Sequence, residues 1–247
     1  MNKIETCFSP ALLPHFGYKN SAVVVIDILR ATSSICVAFA NGAKTVIPVE
    51  TLEECKWFQD KGFLAAAERG GEKIEGFDFG NSPFSFRDEK IRGKEIVFST
   101  TNGTRAIKAT ADAALVIICS FVNLEILCEY LCEKQLDILC LCAGWKNKFN
   151  LEDSLFAGAV TRKLIKSGKF ITECDSSKAA MQLYDNASND LFSFLENSSH
   201  RIRLKKLNID EDVRFCLDPD SSNVLPILSG DRLTDYYPEF SKLNERV

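Results

Sequence analysis

The chain has 247 residues, 46% of them hydrophobic and 26% charged, and a formal net charge of −4. That length and apolar content are enough to bury a core without disulfide or metal staples, as one large domain over residues 1–247 or as two closely joined lobes. Charges of both signs are interspersed, with no basic stripe and no acidic tail, so a nucleic-acid partner is not expected.

At the N-terminus, Met1 to Cys7 include Glu5 and lead into no apolar run of signal-peptide length, and the longest apolar stretches are strand-sized. A cytosolic protein with no membrane partner is therefore expected. Ser21 to Leu29 is apolar and β-branched, and Thr32 to Ala40 reads as a helix closed by Asn41-Gly42. Thr45 to Val49 makes a second strand, Thr51 caps a helix to about Asp60, and Phe63 to Ala67 is a third strand. From Glu68 to Lys94 glycines and alternating charges leave no period, and a loop of that length inside a compact domain is usually functional.

Alternation resumes with the strand Glu95 to Ser99, a helix starting at Gly103, the strand Ala114 to Cys119, a helix from Asn123 to Glu133 and the strand Leu136 to Cys142. Leu151 to Lys166 is a further helix with Asn150 as its cap, and Ser176 to Leu195 holds one or two more. Residues 197–210 are polar, basic and less regular. Val224 to Leu228 reads as a late edge strand, because Pro226 has no N–H for a ladder. The pattern predicts an α/β fold with a layered, mostly parallel or mixed sheet.

Ligands of open α/β sheets gather beyond the carboxyl ends of the strands, so the polar residues that directly follow each apolar run are the first candidates. Asp27 ends a strand, and Thr32, Ser33 and Ser34 lie where a helix presents unpaired N–H groups, with Arg30 beside them as a clamp for phosphate or sulfonate. Capping by Thr32 and pairing of Arg30 with Asp27 explain that segment equally well. Thr100, Thr101, Asn102 and Gly103 repeat the arrangement, although a turn also accounts for them. Glu68 directly ends a strand and Asp78 lies between two phenylalanines. Magnesium uses one or two carboxylates, waters and phosphate oxygens, so Asp27 with Glu68 or Asp78 suffices for a metal site. Glu152 and Asp153, in the first turn of a helix, suit its dipole without further function.

The ten cysteines fall mostly in apolar runs and form no Cys-x-x-Cys pair, and His15 and His200 are the only imidazoles, so a thiolate or histidine-rich zinc site has little to draw on. Cys142 ends a strand but has no evident histidine partner, which favours a packed thiol over a nucleophile. No Gly-x-x-x-x-Gly-Lys-Ser/Thr loop and no Gly-x-Gly-x-x-Gly occurs. Leu29 stands where a haloacid-dehalogenase phosphatase carries its second aspartate.

The segments VVVIDILRATSS at 23–34, ERGGEKIEGFDFGNSP at 68–83 and STTNGTRA at 99–106 together closely resemble the 2-phosphosulfolactate phosphatase family, as do NGAKTVIPV at 41–49, LEDSLFAGA at 151–159 and DVRFCL at 212–217. The resemblance implies a three-layer α/β/α sandwich and a magnesium-dependent hydrolase that converts 2-phospho-3-sulfolactate to 3-sulfolactate and phosphate, with a link to coenzyme M biosynthesis. It implies a small dianionic phosphorylated sulfonate as substrate and leaves open an assembly of like chains. Asp27, Arg30, Glu68 and Arg69 would then be catalytic, and magnesium would be held by Asp27 with Glu68, Asp78 and Glu152. Thr32, Ser33, Gly70, Gly71, Asn81, Ser82, Thr100, Thr101, Asn102 and Gly103 would contact substrate. A phosphatase of another small phosphorylated acid, and a non-catalytic dianion-binding protein, are the alternatives. No functional residue is carried over from about 165–210.

Overall fold

The computed structural model describes residues 1–237. Strands β1 (Asn2–Cys7), β2 (Ala22–Ile26), β3 (Thr45–Pro48), β4 (Leu64–Arg69), β5 (Glu72–Lys73), β6 (Glu95–Ser99), β7 (Leu115–Cys119), β8 (Ile138–Cys142), β9 (Phe170–Ile171), β10 (Pro226–Ser229) and β11 (Arg232–Asp235) form one mixed sheet. Its order is β5-β4-β6-β3-β11-β10-β7-β2-β8-β1-β9. The helices are α1 (Ala31–Ala40), α2 (Leu52–Asp60), α3 (Gly103–Ala109), α4 (Leu124–Lys134), α5 (Leu151–Lys166), α6 (Asp175–Ala187), α7 (Leu191–Phe194), α8 (Ser199–Leu204) and α9 (Asp210–Leu217). Among the described residues no helix is long and apolar enough to cross a membrane.

The period of two along β2 decides the layering. Val23 and Val25 pack with Ile35 and Phe39 of α1 and Ile107 of α3, whereas Val24 and Ile26 pack with Leu127 of α4, Leu155 and Val160 of α5 and Ala180 of α6. A smaller cluster seats Cys55 of α2 on Ile47, Ala65 and Val97. Helices therefore cover both faces, and the continuous apolar composition of β2 and β8 follows from burial on two sides. Thr51 starts α2 with a reciprocal capping box, its hydroxyl accepting 3.1 Å from Glu54 N while the Glu54 carboxylate returns to Thr51 N.

One expectation is corrected. Val224 to Leu228 is not at an edge: β10 and β11 form a hairpin inside the sheet, antiparallel to β7 through Ile227 opposite Ile117 and to β3 through Leu233 opposite Val46. Pro226 is tolerated there as the first residue of its strand. The N-terminal strand β1, parallel to β8 with Ile4 opposite Ile138, carries no strand signal in its sequence because Asn2, Lys3 and Glu5 make it largely polar.

The hairpin joins a half made of β7, β2, β8, β1 and β9 to a half made of β3, β6, β4 and β5. Five strands separate β2 from β4, and a flat sheet would hold the two strands about 29 Å apart with their carboxyl ends at opposite edges. Instead the sheet curls around α1 and Phe86, which share one apolar cluster with residues of β2, β7, β11, β3, β6 and β4. That curl brings the ends of β2 and β4 to a single cavity.

Candidate active site

Strand ends on both halves of the curled sheet open on a cavity of about 230 Å³, lined by Asp27, Arg30, Glu68, Gly70, Gly71, Asn81, Thr101 and Asn102. Trp145, Lys146, His200 and Arg203 line it as well, with Leu29 and Leu204 completing the wall.

Asp27 follows the last residue of β2. Its backbone is locked into the turn by a 3.0 Å bond from Thr32 N to Asp27 O and a 3.1 Å bond from Asp27 N to Thr32 Oγ1. Gly103 lies against its carboxylate: a β-carbon there would sit 2.9 Å from Asp27 Oδ2 and 2.7 Å from the Ala31 β-carbon. Burial first, and the charge of Asp153 second, push the Asp27 carboxyl up to about 8, against the lowering effect of His200. Asp153 is pushed up to about 7 by burial and by Glu152, although it accepts bonds from Ile28 N at 2.9 Å, Gly144 N at 3.2 Å and Asn150 Nδ2 at 2.8 Å. It therefore ties the ends of β2 and β8 to the start of α5.

Glu152 is fully buried and engages His200 Nδ1 through Oε1, while Asn150 Nδ2 donates 3.1 Å to the same oxygen. Burial pushes the Glu152 carboxyl up, but the imidazole bond and charge outweigh it and hold the group below its ordinary range. Glu68 is buried at the end of β4, where Oε1 accepts from Gly71 N across the tight Gly70-Gly71 turn. Over that turn lies the 204–207 segment, so close that a β-carbon on Gly71 would meet Leu204 Cδ2 at 2.6 Å and Leu207 Cδ1 at 2.9 Å.

Other sequence candidates have different surroundings. Arg30 borders the cavity, but its guanidinium is committed to Asp212 and to Gly71 O at 2.7 Å. Arg69 lies outside it, donating to Glu68 O, Ser99 O, Ser99 Oγ and Glu50 O. Asp78 is also outside, its Oδ2 accepting from Ala65 N at 2.9 Å and Gln59 Nε2 at 3.3 Å near the start of β4. Ser33 Oγ donates to Ile28 O, Ser82 Oγ to Asp212 Oδ1, and Thr100 Oγ1 accepts from Thr104 N, so these hydroxyls brace turns. Asn150 is the N-cap residue of α5 but caps with no side-chain bond, since its amide is turned to Glu152 and Asp153. Cys142 is buried, with its thiol pushed well above the ordinary range, and is a packing group.

His200, Arg203 and Leu204 belong to α8, within the polar stretch that gave no regular signal. Lys146 and Trp145 belong to a four-residue hairpin closed by Trp145 N to Lys148 O at 3.1 Å and the reverse bond at 3.0 Å. Gly144, Lys146 and Asn147 there take left-handed backbone angles.

The donor set suits a hard divalent cation. The Asp27 and Glu68 carboxylates open on the cavity, and Asn81 Oδ1 and Thr101 Oγ1 beside them are buried oxygens without partners, whereas Glu152 is outside the lining and is engaged by His200. Among the described residues no group of three or more His, Cys, Asp or Glu is gathered for a metal. Such a site matches an ion that uses one or two carboxylates and fills its shell with water and substrate oxygens.

The fold and the cavity define an α/β protein whose strand ends bring Asp27 and Glu68 to one small polar cavity. A model of the 2-phosphosulpholactate phosphatase family matches residues 7–231. A probable 2-phosphosulfolactate phosphatase of Caldanaerobacter subterraneus subsp. tengcongensis is 44% identical over 216 residues, covering 86% of this chain and 89% of that one. Another from Thermotoga petrophila is 43% identical over 205 residues, covering 83% and 88%, and one from Nostoc sp. is 35% identical over 235 residues, covering 91% and 95%. The chain belongs to the 2-phosphosulfolactate phosphatase family.

Proposed function

We propose that this chain is a magnesium-dependent phosphatase that hydrolyses 2-phospho-3-sulfolactate to 3-sulfolactate and inorganic phosphate. The observation that carries the reading is the meeting of Asp27 and Glu68, from opposite halves of the curled sheet, on one small cavity that Lys146, Arg203 and His200 also line. Carboxylates suited to a cation and cations suited to anions in one cavity fit a phosphorylated acid, and the relatives carry 2-phosphosulfolactate phosphatase activity in their names.

Asp27 and Glu68 would hold the ion, with the unpartnered oxygens of Asn81 and Thr101 beside them. Bound magnesium supplies polarisation of the phosphoryl oxygens and neutralisation of the charge that builds on them. Asn102 and Thr101, at the start of α3, orient the phosphoryl group from the strand-end side. Asp153 anchors the backbone that positions Asp27, through Ile28 N. His200, fixed at Nδ1 by Glu152, keeps Nε2 to deliver a proton to the leaving alkoxide. The nucleophile in this reading is water.

Phosphate release from 2-phospho-3-sulfolactate is the test. Release should need magnesium, vanish with EDTA and return when magnesium is restored, and Asp27→Asn should lower kcat by about a hundredfold or more. Good turnover of another phosphomonoester with none of this one would overturn the substrate. A phosphorylated residue trapped during turnover would overturn attack by water.

A further inference from the structure

Four basic side chains line the cavity, and two of them are already neutralised. Arg30 is paired with Asp212, and His200 with Glu152. Lys146 and Arg203 have no ion-pair partner among the described residues; each instead rests on the Trp145 ring, with Lys146 Nζ 4.5 Å and Arg203 Cζ 4.0 Å from its centroid. A cation on an indole face is held in place without losing its charge, so its donors remain available to a ligand.

The placement is built from both sides. On the hairpin, a β-carbon at Gly144 would lie 2.3 Å from Lys148 O, so only glycine fits the closure that aims Trp145. The hairpin tip is tied to α3 by Arg105, which donates 2.6 Å to Asn147 Oδ1. On α8, Leu204 beside Arg203 is buried against Gly71. Burial also lowers the Arg203 pKa, with Glu152 and Glu68 opposing that effect. A partly desolvated guanidinium with no direct counter-ion, facing a cavity, is a site for an anion.

Magnesium and the Asp27–Glu68 wall already answer the phosphate in the proposed function, so two more cations call for a second negative group on the alcohol. We propose that Arg203 and Lys146, seated on Trp145, form a second anion subsite that binds the sulfonate of the substrate. The proposal rests on the phosphatase reading of the same cavity. A sulfonate offers three equivalent oxygens, two for the planar fork of Arg203 and one for the ammonium of Lys146. The apolar part of the indole adjoins the short carbon chain.

The experiment compares wild type, R203Q, R203K and K146Q on 2-phospho-3-sulfolactate, 2-phospholactate and phenyl phosphate, and measures 3-sulfolactate binding to the magnesium-loaded proteins by calorimetry. The ratio of kcat/KM for phosphosulfolactate to that for 2-phospholactate should fall about ten- to a hundredfold in R203Q and K146Q, mostly through KM. R203K should recover part of the ratio. Because Lys146 is exposed at the hairpin tip, K146Q reports on the subsite even if R203Q folds poorly. Equal losses on all three esters would put these cations on the phosphate and overturn the subsite. Equal losses on phosphosulfolactate and 2-phospholactate would move recognition to the carboxylate and overturn it too. If wild type hydrolyses none of the esters, the phosphatase reading fails, yet 3-sulfolactate binding that is lost in both glutamine variants still supports the subsite. Absence of 3-sulfolactate binding in wild type would overturn it.

Discussion

Arg30, which borders the cavity, is held by Asp212, a residue 182 positions away. Asp212 Oδ1 also accepts 2.9 Å from Ser82 Oγ, while the second Arg30 nitrogen donates 2.7 Å to Gly71 O. Three segments are thereby pinned to the β2–α1 turn. Both side chains are buried, so Asp212→Ala leaves a guanidinium without its counter-ion and should cost about 3–5 kcal/mol of stability. The double variant R30M/D212L should lose less than D212A, because no charge is stranded. Urea unfolding of both checks this, and a wild-type midpoint for D212A would show that the pair is not a brace.

Gly103→Ala tests how tightly Asp27 is seated. The added carbon would meet Asp27 Oδ2 at 2.9 Å and the Ala31 β-carbon at 2.7 Å, both set on short, well-packed backbone. Overpacking of this kind costs about 1–3 kcal/mol. Turnover should fall further than stability, by about tenfold or more, because a displaced carboxylate loses its alignment. Thermal melts and kcat measured on the same preparation separate the two effects; a variant with normal kcat would show that Asp27 tolerates the shift.

That Asp27, Glu68 and Thr101 border the cavity was legible in the sequence because each ends or closely follows a strand, and a strand end marks where ligands of a sheet gather, whereas Asn81, in the irregular 68–94 stretch, came only with the family resemblance. The layers were legible for a related reason, since strands such as β2 are apolar without interruption. The partners of the arginines were not. Residue type shows that Arg30 and Arg69 carry forks, but Asp212 for the first and the carbonyls of Glu50, Glu68 and Ser99 for the second come from tertiary folding. The curl of the sheet was hidden as well, because it depends on a late hairpin entering between β3 and β7. His200 and Arg203 lie on a six-residue helix too short to show a period. Its one local mark is Ser198, whose hydroxyl accepts 3.2 Å from Arg201 N.

The raised carboxyls set a pH dependence of stability. Asp27 is pushed to about 8 and Asp153 to about 7, each by burial first and by a neighbouring carboxylate second. Unfolded, both would titrate near about 3.9. Between those limits the folded chain keeps protons that the unfolded chain has released, so stability is greatest at the acid end of the window and is lost as pH rises from about 4 through about 8. Asp27→Asn removes one of these titrations and should flatten the profile, leaving the variant more stable than wild type at pH about 8 without added metal. Magnesium should stabilise wild type there and leave the variant largely unaffected. Melting temperatures across the range check both; equal slopes for wild type and variant would remove Asp27 from the titration.

Gly71→Ala tests whether the α8 segment must lie on the Gly70-Gly71 turn for turnover. The new β-carbon would meet Leu204 Cδ2 at 2.6 Å and Leu207 Cδ1 at 2.9 Å, the far ends of flexible side chains, at a residue with φ of +94°. The segment should lift, and with it His200 and Arg203, so kcat/KM should drop about tenfold or more. Part of the effect is the left-handed backbone, which costs alanine about 1 kcal/mol whatever its neighbours do. Trimming Leu207 separates the two contributions: G71A/L207A should recover activity relative to G71A if the contact lifts the segment. A double variant no better than G71A would assign the loss to the backbone of the turn, and with it to the Glu68 carboxylate that accepts from Gly71 N.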